Sequence, residues 1–148
     1  QGTAEETMKV LVDTSVWSLA LRKSQKNEED TRIVKELQEL IRELRVVMIG
    51  PIRQELLSGI SDAARFRRLR EKLRAFDDVD LTSSDYEMAA ELSNRCRRNG
   101  IQGSHTDFLI CSFSMNNNCP IFTLDKDFDL YRKHILLSLH SVREEFKE

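Results

Sequence analysis

No apolar run in this chain approaches the roughly 20 residues needed to cross a bilayer, so no membrane role is expected. No signal peptide is recognisable at the N-terminus, which makes a cytoplasmic protein the expectation. Cysteine is scarce. Cys96, Cys111 and Cys119 are odd in number and show no C-x-x-C spacing, which argues for a reducing compartment and against a structural zinc site. Cys111 lies among Leu109, Ile110 and Phe113, the setting of a small buried hydrophobe rather than a nucleophile. Repeats, linkers and low-complexity tracts are missing too, so no internal domain boundary is drawn. The polar stretch Gln1 to Thr7 precedes a Met8 that looks like a natural start. It is read as a non-native remnant, leaving one domain over residues 8–148.

Net charge is also small, −2 over 148 residues, which by itself does not advertise a nucleic-acid binder. The distribution says more than the sum. Arg65, Arg67, Arg68, Arg70, Lys72 and Arg74 crowd ten residues, and Arg95, Arg97 and Arg98 form a second cluster. Such clusters can track phosphates even on a weakly acidic protein. The plainer alternative is a solvated helix face, because Glu71, Asp77 and Asp78 partly offset the charge.

What is present is an alternation. At 40% hydrophobic and 32% charged, the chain has the composition of one ordinary globular domain. Lys9 to Val12, Val46 to Ile49, Val79 to Leu81, Ile121 to Leu124 and Ile135 to Leu139 read as five short strands. Helices are expected over Thr14 to Leu21, from an Asp30 cap through Leu44, from Ile52 to Ser58-Gly59, and over Ala63 to Phe76. Two more follow: one from a Ser84-x-x-Glu87 capping box to Arg98, one from Ser104 to the Asn116–Asn118 run. Strands alternating with helices predict a three-layer α/β/α domain around a parallel sheet of about five strands.

Four acids stand out against that frame. Asp13 follows Val10-Leu11-Val12, and Asp125 follows the strand-like Ile121 to Leu124. Glu55 is on the helix that Pro51 opens, and Asp107 is in the first turn of the helix begun by Ser104. In a parallel α/β sheet, strand ends and following helix starts share one edge, where ligands bind. Carboxylates gathered there repel one another unless a cation lies between them, and an oxygen-only set suits Mg²⁺ or Mn²⁺. Each acid has an ordinary explanation as a helix cap or surface residue. Such an account must explain four times over why the acid falls on the same edge. Without metal, crowded carboxylates should have raised pKa values.

The pieces Val10-Leu11-Val12-Asp13-Thr14-Ser15-Val16 and Ile52-Arg53-Gln54-Glu55-Leu56-Leu57-Ser58-Gly59 resemble motifs of the PIN-domain nucleases. So do Thr106-Asp107-Phe108-Leu109-Ile110 and Phe122-Thr123-Leu124-Asp125-Lys126-Asp127-Phe128, in order and spacing over nearly the full chain. Within that family the resemblance is to the VapC toxins of toxin–antitoxin pairs. It implies a metal-dependent endoribonuclease acting on structured RNA, such as transfer or ribosomal RNA, with a VapB-type antitoxin as partner and a homodimeric state. Asp13 and Asp107 would be the principal Mg²⁺ or Mn²⁺ ligands, with Glu55 and Asp125 completing the pocket directly or through water. The last motif also offers Asp127, a lesser candidate, and Asp129. Thr14, Ser15, Thr106 and Thr123 flank the acids, and their hydroxyls can hold carboxylates in place or simply cap helices. The Arg65 to Arg74 helix is a candidate wall of the RNA groove. His105 lies beside the site as a bystander or substrate contact, and His134 and His140 read as surface or packing residues.

Two other folds put acids at strand ends. A receiver domain wants an acidic pair after the first strand, and a haloacid-dehalogenase-type phosphatase wants a second Asp where Ser15 stands. From another class, a PIN-like module that binds without turnover is the alternative, opposed by the intact acidic set.

Overall fold

Three short parallel strands carry the centre of this computed structural model, which describes residues 7–147. Most of the segment read as a remnant, residues 1–6, lies outside the described residues, as does residue 148. The elements are β1 (Val10–Val12), α1 (Thr14–Leu21), α2 (Glu28–Arg42), β2 (Val46–Val47), α3 (Gly50–Leu57) and α4 (Ala63–Leu73). They continue with α5 (Ser83–Arg98), α6 (His105–Asn117), β3 (Ile121–Phe122), α7 (Asp127–Tyr131) and a 3-10 turn at Glu144–Phe146. The sheet runs β2-β1-β3, with Val10 opposite Val46 and Val12 opposite Phe122. Helices lie on both faces, giving the expected α/β/α layering.

Val10, Leu11 and Val12 are fully buried, which is why β1 reads as an unbroken apolar run rather than an alternating one. Around it pack Leu37 and Leu40 of α2, Ile52 of α3, Phe108 and Ile110 of α6, and Phe128 of α7. The α2 stripe predicted from the sequence is the inward face, with Ile33, Leu37 and Leu40 buried. Trp17 of α1 meets the Phe76 ring edge-on, centroids 5.1 Å apart. All three cysteines are buried and free. Burial pushes the Cys111 thiol well up, as an inert hydrophobe requires. Among the described residues no helix is long and apolar enough to cross a membrane.

The expected sheet of about five strands is corrected to three among the described residues. Neither Val79 to Leu81 nor Ile135 to Leu139 forms a strand: the one bridge near the first is at Asp78, just before it, with Met48, and the second pairs at Leu139 alone, with Ile121, both parallel. After Asp78 the chain is already turning toward the Thr82 cap of α5, and Val79 is left half-exposed. On the other side Leu136 points into solvent, and only Ser138 and His140 hydrogen-bond to Ile121, at 2.9 and 2.7 Å. β2 and β3 are likewise two residues each, shorter than expected.

Three helix starts also shift. α2 is capped by Asn27, whose Oδ1 accepts the Asp30 N–H at 2.8 Å; Asp30 is a first-turn acid instead. The capping box of α5 is Thr82-x-x-Asp85 rather than Ser84-x-x-Glu87, because Asp85 is buried and also accepts from Asn116 Nδ2 at 2.7 Å. α3 starts at Gly50, with Pro51 in its first turn. α4 stops at Leu73, three residues short, while Gly59 closes α3 with φ +86°, the left-handed conformation that suits glycine.

Candidate metal centre

The strand order reverses at β1, which is followed in sequence by a strand on one side and later by a strand on the other. Ligands of open parallel sheets bind at such a reversal, beyond the carboxyl ends of the strands. Here that point holds the acids. The Asp13 N–H donates to Phe122 O at 2.9 Å, so the residue leaving β1 lies beside the residues leaving β3. Ser104 Oγ accepts the Asp107 N–H at 3.0 Å, which fixes Asp107 in the first turn of α6. A turn after β3 is pinned in two steps: Asp125 N–H to Thr123 Oγ1 at 3.0 Å, then Asp127 N–H to Asp125 Oδ1 at 2.9 Å.

Asp107, Asp125 and Asp127 each offer a carboxylate oxygen within 4.8 Å of the other two. Asp107 is half-buried and the other two are exposed. Burial raises the Asp107 pKa. Hydrogen bonds from Tyr131 and Ser104 act against that, and the charges of Asp13 and Asp125 add to it. Asp13 is therefore an electrostatic neighbour of the trio although it stands outside it.

Asp13 occupies the N-cap position of α1, but its side chain makes no capping hydrogen bond. Its Oδ2 instead accepts from Ser15 Oγ at 2.8 Å and from Thr123 Oγ1 at 2.7 Å. Each hydroxyl in turn accepts a backbone N–H, Ser15 from Leu124 at 2.9 Å and Thr123 from Asp125. The two hydroxyls thus staple the loop after β3 onto the end of β1 and set the direction of a nearly buried carboxylate, 5% exposed. Thr14 Oγ1 is buried without a hydrogen-bond partner among the described residues, and Thr106 is half-buried in the first turn of α6.

Of the other predicted residues, Glu55 is exposed on α3, a helix packed against α1 and α6, and is not one of the clustered acids. Asp129 is exposed and outside the cluster. His105 is exposed at the start of α6, in a groove shared with α5. His140 is a packing residue, with Nε2 2.8 Å from Glu36 Oε2 and its ring edge-on to Phe122.

Tyr131 was not singled out by its sequence context. It is fully buried at the end of α7, and its hydroxyl donates to Asp107 Oδ2 at 2.5 Å. Burial, then this hydrogen bond and the charges of Asp107, Asp127 and Asp125, push its pKa far up, so it stays a donor. The one trace in the sequence is Gly103. A Cβ there would stand 2.7 Å from Tyr131 Cζ and 3.0 Å from Phe108 Cε2, so a bare backbone is what lets the ring in.

The basic helix α4 presents Arg65, Arg67, Arg68, Lys72 and its C-cap Arg74 to solvent, while Arg70 is half-buried. Arg74 pairs with Glu71 at 3.0 Å, the partial offset anticipated from the sequence. Arg65, Arg68 and Lys72 line a cleft of about 500 Å³ with Arg22 and Lys23 beyond α1, over a floor of Leu21, Leu56, Ile60 and Leu69.

The donor set fits a hard divalent cation: carboxylate oxygens only, mutually repelling, and no histidine or thiol among them. An acidic pocket at the switch point of a three-layer α/β/α domain is the class that fold and site define together. The PIN domain profile matches residues 10–133, and the chain belongs to that family. Membership removes the receiver and dehalogenase alternatives. No curated protein sequence matches the chain. Among solved structures it is similar to FitAcB from Neisseria gonorrhoeae, at 21% identity and TM-score 0.70, over 89% of this chain and 96% of that one. It is also similar to VapBC2 from Rickettsia felis bound to a DNA fragment from their promoter, at 16% identity and TM-score 0.69, over 90% and 98%. A FitAB complex bound to a DNA fragment matches at 20% identity and TM-score 0.68, over 88% and 93%.

Proposed function

We propose that this protein is a Mg²⁺- or Mn²⁺-dependent endoribonuclease, the toxin half of a VapBC-type pair, which hydrolyses phosphodiester bonds in structured RNA. One observation carries the reading: the convergence of Asp107, Asp125 and Asp127, with Asp13 alongside, at the sheet's switch point in a PIN domain. Crowding carboxylates costs stability, and a pure binding module has no use for that cost.

Asp107, Asp125 and Asp127 would hold the cation, with Asp13 as a further ligand directly or through water, and Glu55 reaching in from α3. A bound divalent cation supplies a more acidic water and offsets charge on the scissile phosphate. Ser15 and Thr123 keep the Asp13 carboxylate from swinging away, and the Ser104 cap holds the first turn of α6 in register with it. In the net reaction a water oxygen adds to phosphorus and loses a proton, the phosphorus–oxygen ester bond breaks, and the leaving sugar oxygen takes up a proton. The basic cleft along α4 would bear the RNA backbone, since guanidinium groups suit phosphate.

A VapB-type antitoxin and a homodimeric state follow from the toxin reading. Likeness to VapBC2 bound to a DNA fragment from their promoter supports it at the level of fold. The test is incubation of mixed cellular RNA with the protein in Mg²⁺ or Mn²⁺, with and without EDTA. Metal-dependent cleavage at defined 5′ ends is expected. Binding without cleavage would favour the non-catalytic module, and cleavage in EDTA would reject the metal mechanism.

A further inference from the structure

Resting on the nuclease reading and deepening it, the geometry points to Tyr131 as the positioning residue that locks Asp107 for metal binding. Gly103 is the position that admits it. An aspartate carboxylate rotates in a broad, roughly two-fold torsional well, so its backbone placement alone does not decide where its oxygens point. Asp13 solves this with the hydroxyls of Ser15 and Thr123, and Asp107 with that of Tyr131, beside the Ser104 cap of its own helix. The Tyr131 hydroxyl donates to Asp107 Oδ2 at 2.5 Å, bridging 24 residues of sequence. The phenol cannot drift, because its ring is wholly buried, 5.1 Å from the Phe108 ring and 5.3 Å from the Phe128 ring.

The arrangement also ties two of the acids to a third. Tyr131 ends the short helix α7 that Asp127 opens, and the turn holding Asp125 leads directly into that helix. Docking the tyrosine on Asp107 therefore draws the Asp125–Asp127 turn toward α6, where the three carboxylates meet. Gly103 lies just before the Ser104 cap, under the phenol, and any side chain there would displace the ring or the first turn of α6. The tyrosine touches no reacting atom in this scheme. It acts through Asp107, as outer hydrogen-bond partners of metal ligands commonly do.

The experiment is Mn²⁺ binding, followed by isothermal titration and by the electron paramagnetic resonance of free Mn²⁺, to wild type, Tyr131→Phe and Gly103→Ala. Tyr131→Phe keeps both ring contacts and removes only the hydroxyl. Weakening by about 10–100-fold is expected, with unchanged circular dichroism, on the scale seen when such outer partners are lost. Gly103→Ala keeps the hydroxyl but disturbs its seat, and should weaken Mn²⁺ in the same direction even if the phenylalanine variant fails to fold. RNA cleavage by Tyr131→Phe should recover toward the wild-type rate as Mn²⁺ is raised, which a purely structural defect would not allow. Wild-type binding matched within twofold by a folded Tyr131→Phe, or by Gly103→Ala, overturns the inference alone. A wild type that binds no Mn²⁺ overturns the nuclease reading beneath it.

Discussion

Glu36 is the most heavily bonded buried acid in the fold, and its replacement by glutamine gives a prediction with a magnitude. The side chain is 1% exposed. Its Oε1 accepts from Arg143 N at 3.0 Å and Nε at 2.8 Å, and its Oε2 faces Arg143 Nη2 at 3.1 Å and His140 Nε2 at 2.8 Å. Burial opposes ionisation, but the hydrogen bonds from His140 and Arg143 win and hold the carboxyl at about 2, against an ordinary 4.5. That difference corresponds to about 3 kcal/mol of preference for the charged form in the folded state. Because the folded pKa is depressed, the stabilisation is complete above the unfolded value of 4.5 and fades as pH falls toward 2. Glu36→Gln should lose most of it at neutral pH, although Arg143 keeps Glu43 at 3.0 Å. For a chain of this size that is a drop of about 6–12 °C in Tm at pH 7. Thermal unfolding followed by calorimetry at pH 7, 5, 4 and 3 reads it directly, and the gap between wild type and variant should narrow below pH 5. A variant melting within 2 °C or so of wild type at pH 7, or a gap independent of pH, would refute the reasoning.

Further outcomes follow from the site. In EDTA, Asp107→Asn should melt above wild type at neutral pH. A carboxyl with a raised folded pKa destabilises when ionised, so the gain should vanish below the ordinary value of 3.8; a lower Tm at pH 7 would mark Asp107 as a structural cap instead. Replacing Arg65, Arg68 and Lys72 together with alanine should weaken RNA binding and flatten its logarithmic salt dependence by about 2, at roughly 0.7 per phosphate contact on a single strand. An unchanged slope would move the RNA path off α4. Sedimentation of the purified protein should show the mass of two chains, and a monomer at micromolar concentration would contradict the expected homodimer.

Sequence pattern and structure agree best where local rules act alone. Thr14–Leu21 is helical over the bounds its pattern indicates, and the Ser104 cap and the left-handed Gly59 stand where residue chemistry puts them. They part where a distant partner decides. Glu28, Glu29 and Asp30 all suit a first turn, so only the fold reveals that Asn27 is the cap. Ser84 and Thr82 both begin plausible capping boxes, and burial of Asp85 against Asn116 selects the second. The outer strands fail for a related reason. Val79 and Leu136 have strand-like neighbours in sequence, but a residue pattern does not say whether a ladder partner lies within reach. At the site, Asp13, Asp107 and Asp125 were legible as acids after strands or at a helix start. Asp125 and Asp127 are both brought to Asp107 by one tight turn, so geometry does not separate the two candidates. Tyr131 stayed hidden, because nothing local marks a phenol whose partner is 24 residues away.

Cleavage by Asp13→Asn and Asp107→Asn, beside wild type on the same RNA in Mn²⁺, tests the central claim most directly. The account predicts that both variants keep their circular dichroism spectrum and lose cutting, while wild type cuts and stops when EDTA is added. Wild-type rates in either folded variant would contradict it.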